Sequence, residues 1–157
     1  MRDLNGDDSA VSVSVGFILT FSITVLVLVI TLTSFYSIMG QAEQTIMRDE
    51  FEIHGNDIAL RIATMDTAVS LADNAGSGIE ELTYILSLPQ TIAGKEYSIE
   101  ILNLPNEIVL ISEERKGTEV KIPYSAENTN VTPTVIYSSQ GEFIMVYSPL
   151  KNTITLK

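Results

Sequence analysis

The chain has 157 residues, nine basic against twenty acidic, a formal net charge of -11 and no cysteine. Such a balance argues against a nucleic-acid partner, because phosphate binding needs clustered Lys and Arg. Without cysteine there are no disulfides, thiolate chemistry, Cys-based metal sites or lipidated cysteine, so any anchor must be the polypeptide itself. The length leaves room for one modest domain beside a membrane segment.

The first ten residues, MRDLNGDDSA, hold one Arg and three Asp. They lack the basic n-region of a secretory signal peptide. No charge then occurs between Asp8 and Glu43, and Val15 to Leu32 is dominated by Val, Ile, Leu and Phe. Roughly 20 apolar residues cross a hydrocarbon core about 30 Å thick, so residues 11–35 are predicted to form a transmembrane helix. Ser14, Thr20, Ser22, Thr24, Thr31 and Thr33 fit there because their hydroxyls can bond back to helix carbonyls. Counting Lys and Arg on the two sides gives almost no orientation signal.

Residues 36–73 lack proline and stay helical in pattern. Phe51, Ile58, Met65 and Ala72 recur seven apart, and Ile62 and Val69 fill the same face. This predicts an amphipathic continuation of the helix with a packing stripe of Phe51, Ile58, Ile62, Met65 and Val69. Glu43, Asp49, Glu50, Glu52, Asp57 and Asp66 are expected on its solvated side. Gly40 and Gly55 are expected to weaken the rod, at about 1 kcal/mol each relative to Ala. Asp73 to Glu81, DNAGSGIEE, reads as a helix stop and turn.

Beyond it the period changes to two. Strands are expected at 82–88, 96–102, 107–112, 118–122, 134–137, 143–147 and 153–156, separated by AGKE, LPNE, ERKG, SSQG and SPLKN turns. The fold class is therefore α+β. A long N-terminal helix, transmembrane and then amphipathic, packs on an antiparallel β domain at residues 79–157. SAENTNVTP, Ser125 to Pro133, is expected to be the exposed loop.

The chain carries few residues arranged for chemistry. Glu50, His54 and Asp57 fall on one helical face with ligand-like spacing, but that side is already acidic and they read as surface; no metal or cofactor is expected. His54 is the single histidine, no serine lies in GxSxG, and Gly76 to Gly78 lacks the rest of a phosphate loop. No catalytic residue emerges, and a non-enzymatic role is expected. Asn130-Val131-Thr132 is an N-x-T sequon, a candidate N-glycosylation site if this side faces outward.

The stretch DDSAVSVSVGFILTFSITVLVLVI resembles archaeal type IV pilin-like and archaellin-like surface proteins, through Ala10, Val11 and Ser12 and then Gly16, Phe17, Ile18 and Leu19. Two positions depart from that pattern: Ser12-Val13 stands for the usual Ser-Pro, and Ser9 for a frequent charge. LSLPQTIAGKEYSIEI, Leu86 to Ile101, is more loosely similar to a strand-turn-strand of pilin-like surface proteins. The resemblance implies a pilin-like fold and a leader, residues 1–10, that a prepilin peptidase cuts between Ala10 and Val11 on the cytoplasmic side. It further implies a helix stored in lipid, an extracellular C-terminal domain, and self-association or association with related pilin-like subunits in a filament. The expected function is a structural subunit, major or minor, of a type IV pilus-like filament. The alternative is a stand-alone single-pass anchored binding or accessory module.

Overall fold

The computed structural model describes residues 5–114 and 117–157, with side chains from residue 13 onward. Its architecture is α+β: among the described residues, one α-helix, α1 (Asn5–Asn74), precedes eight strands. The chain divides into two compact units, the second being Glu43–Lys157. That second unit holds the strands and the last part of α1.

The strands are β1 (Leu82–Leu86), β2 (Tyr97–Asn103), β3 (Asn106–Ser112), β4 (Glu119–Pro123), β5 (Asn130–Val131), β6 (Thr134–Tyr137), β7 (Phe143–Ser148) and β8 (Thr153–Leu156). They form two four-stranded sheets, ordered β1-β7-β8-β5 and β4-β3-β2-β6, rather than one. Every pairing is antiparallel except β5 with β8. Alternation fixes the registers. Ile99 stands opposite Leu110 and Ile136, and Met145 opposite Leu156, so that inward residues of neighbouring strands fall in rows.

Both sheets and α1 share one core. Met47, Phe51, Ile58, Ile62, Met65 and Val69 of α1 are buried with Tyr97, Ile99, Ile108 and Leu110 of one sheet and Phe143, Met145 and Ile154 of the other. Each such aliphatic or aromatic side chain contributes about 1.5–3 kcal/mol on leaving water, and together they hold this part of α1 on the strands. The Phe51 and Tyr97 rings lie 5.5 Å apart. Tyr97 also donates its hydroxyl to the Pro89 carbonyl at 2.7 Å, and burial pushes its pKa up to about 12.

Gly55, expected as a weak point of the rod, has a packing role beside that propensity cost. It is buried, and a Cβ built on it would lie 2.6 Å from Ile122 Cγ1 and 3.0 Å from Leu110 Cδ1. Its missing side chain lets the helix backbone close onto β3 and β4. The helix ends as the DNAG sequence requires, with Gly76 at φ 70° and the Ser77 N–H donating to the Ala72 carbonyl at 3.0 Å.

Candidate functional site

Within the first unit, every described side chain from Val13 to Met39 is exposed, including Phe17, Ile18, Leu19 and Phe21. A helical run of this length reaches about 40 Å at 1.5 Å per residue, and it is long and apolar enough to cross a membrane. Five of its hydroxyls are satisfied locally. Thr20, Ser22, Thr24, Thr31 and Thr33 donate to the carbonyls four residues earlier at 2.8–2.9 Å, which leaves their methyl and methylene groups outward in the manner bilayer helices require. A Cβ at Gly16 would meet nothing within 4 Å, so a neighbouring helix has room to approach there. Ala10 and Val11 lie within the backbone span of α1, and their side chains fall outside the described residues, as do Met1 to Leu4.

In the second unit α1 has two apolar faces, whereas the sequence pattern predicts only the inward one. Opposite it, Ile46, Ile53, Leu60 and Leu71 are 53–66% exposed. Ile46, Ile53 and Leu60 recur seven apart, the signal that identifies the stripe in the sequence. Leu60 and Leu71 bound a groove of about 400 Å³ floored by Ala63, Thr64, Thr67 and Ala68. The Thr64 and Thr67 hydroxyls donate to the Leu60 and Ala63 carbonyls, so this groove presents carbon.

The supposed acidic constellation is split. His54 Nε2 lies 3.6 Å from Glu50 Oε2, whereas Asp57 accepts from Arg61 Nε at 2.9 Å. Arg61 in turn stands over the Tyr84 ring, 5.9 Å from its centroid. Among the described residues no group of three or more His, Asp or Glu side chains is placed to hold a metal.

Asp66 is the polar centre of the domain. Expected on the solvated face, it is instead buried, because the segment expected as an exposed loop folds over it. Its carboxylate accepts from the backbone N–H groups of Glu127, Asn128 and Thr129 at 3.1, 2.9 and 2.8 Å, from Asn128 Nδ2 at 2.9 Å and from Thr129 Oγ1 at 2.8 Å. Burial alone would push the carboxyl up. The side-chain bonds from Asn128 and Thr129 and the backbone bonds from Glu127 and Asn128 outweigh it and hold Asp66 below its usual range.

This clasp orients the start of β5. With Thr129 and Val131 buried, strand alternation turns Asn130 outward. Asn130 borders an open cleft of about 290 Å³ formed with Asn103, Leu104, Asn106, Tyr124 and Ala126, among others. Tyr124 is fixed there by donating to the Leu102 carbonyl at 2.7 Å.

An α+β domain and a helix long and apolar enough to span a bilayer, near the N-terminus, are consistent with a single-pass membrane protein. The chain belongs to a family of unknown function (DUF7266), whose model matches residues 6–157. No curated protein and no solved structure matches it.

Proposed function

We propose that this protein is a structural subunit of a type IV pilus-like surface filament or related envelope assembly, with the β domain outside the membrane. The observation that carries this reading is the apolar helix over residues 13–39, whose side chains are all exposed and five of whose hydroxyls bond back to helix carbonyls. Lipid and a bundle of identical helices solvate such a surface almost equally, so the transfer from storage to filament core rests on packing rather than on burial from water. The exposed stripe of Ile46, Ile53, Leu60 and Leu71 supports it independently. A water-facing domain that leaves four large aliphatics in line gains about 1.5–3 kcal/mol for each one another subunit covers. Leader removal between Ala10 and Val11 frees the helix for this step, and the partners are further copies or related subunits.

The test is to shear cells that produce the protein and sequence the N-terminus of the chain in the released fraction. Filaments containing a chain that starts at Val11 are expected. A protein that stays with the membrane, begins at Met1 and yields no filament would sink the proposal. That outcome would favour a stand-alone anchored binding module, a reading supported by Leu104 and Leu150, which are 91% and 97% exposed at the β2–β3 and β7–β8 turns.

A further inference from the structure

We propose that Asn130 is an N-glycosylation site and that its first sugar units lie in the cleft walled by Asn103, Asn106 and Tyr124. The proposal rests on the outward-facing orientation of the β domain under the filament reading. Asn130-Val131-Thr132 has the spacing an asparagine-linked transferase reads. Asn130 is exposed while both its neighbours are buried, because the Asp66 clasp holds Thr129 inward.

Three other asparagine amides are committed to the fold. Asn128 Nδ2 donates to Asp66, Asn152 Nδ2 donates to the Asn128 carbonyl, and Asn56 Nδ2 donates to the Glu52 carbonyl. None of these three starts an N-x-S/T triplet. The cleft beside Asn130 has the surface a sugar ring fits, with amide donors and acceptors from Asn103 and Asn106 for hydroxyls and the Tyr124 and Leu104 side chains for C–H faces.

In the transfer, Asn130 Nδ2 displaces pyrophosphate from the anomeric carbon of a lipid-pyrophosphate-linked sugar. The new C–N bond forms as the C–O bond to phosphate breaks, one amide proton passes to the transferase, and lipid pyrophosphate departs with the bonding pair. Thr132 is half-buried and accepts a hydrogen bond from Thr155 at 3.1 Å. The transferase therefore reads the sequon before β5 docks on β8, and folding leaves the modified Asn130 outside.

The experiment is mass spectrometry of the full chain from cells that make it naturally. The tryptic peptide Ile122 to Lys151 should carry an added sugar mass that fragmentation places on Asn130. Asn130→Gln and Thr132→Val should each abolish it, and Thr132→Ser should keep it. An unmodified Asn130 in the wild-type chain overturns the proposal. Protease added to intact cells separates the two readings: cleavage of the domain with a bare Asn130 leaves the outward orientation standing, and a shielded domain with a bare Asn130 removes both. For the cleft, amide exchange at Asn103, Leu104 and Asn106 should be about threefold slower or more in the modified chain than in Asn130→Gln. Equal rates would overturn the cleft assignment.

Discussion

At the scale of single residues, two positions decide how α1 meets the strands. Gly55→Ala gains about 1 kcal/mol of helix propensity, but its new methyl would stand 2.6 Å from Ile122 Cγ1, and overpacking costs about 1–3 kcal/mol. The crowding wins, so chemical denaturation in detergent should show a less stable domain; equal or greater stability would mean that β4 yields easily. Asp66 is the second position. Its carboxyl pKa is lower in the folded protein than in the unfolded chain, so its contribution is complete above about pH 4 and is lost as pH falls through the folded-state value. Asp66→Asn sets an amide donor against N–H donors and should cost about 2–3 kcal/mol near neutral pH. Denaturant midpoints of the two proteins should converge as pH drops toward 2, and a constant gap across that range would mean Asp66 is not the titrating clasp.

At the scale of elements, α1 divides its labour between an inward and an outward apolar face, and substitutions on the two should separate. Ile53→Ser and Leu60→Ser sit on the exposed face, where surface changes usually stay within about 0.5 kcal/mol. Both should leave the unfolding midpoint unchanged and reduce recovery of assembled material in sheared fractions. Ile62→Ser, at a wholly buried position, should lower the midpoint itself. The inward face was legible in the sequence because Phe51, Ile58 and Met65 recur every seven residues and are all buried. Period-two runs likewise located seven of the eight strands within two residues of their observed ends. The eighth, β5, was hidden for a physical reason. Two residues are too few to show alternation, and what orders them is a carboxylate more than sixty positions earlier, bonded mainly to backbone N–H groups that carry no sequence signature. The same contact concealed the burial of Asp66. The division into two sheets was equally invisible, since it depends on which strands pair at long range.

For the whole molecule, charge and apolar surface oppose each other. All the charge beyond Asp8 lies in the second unit, seventeen acidic residues against eight basic, so copies brought side by side repel while the outward stripe of α1 draws them together. The repulsion is screened over about 10 Å at 0.1 M salt and about 3 Å at 1 M, whereas the apolar attraction does not weaken with salt. Association of the detergent-solubilised chain should therefore strengthen on going from about 0.1 M to about 1 M sodium chloride, read as a shift to larger species in sedimentation velocity. Leu60→Ser should blunt that shift at both salt levels, because it removes the attraction and leaves the charges in place. If salt instead dissociates the complexes, ion pairs between subunits hold them together, and the stripe of Ile46, Ile53, Leu60 and Leu71 is covered by something other than another copy of this chain.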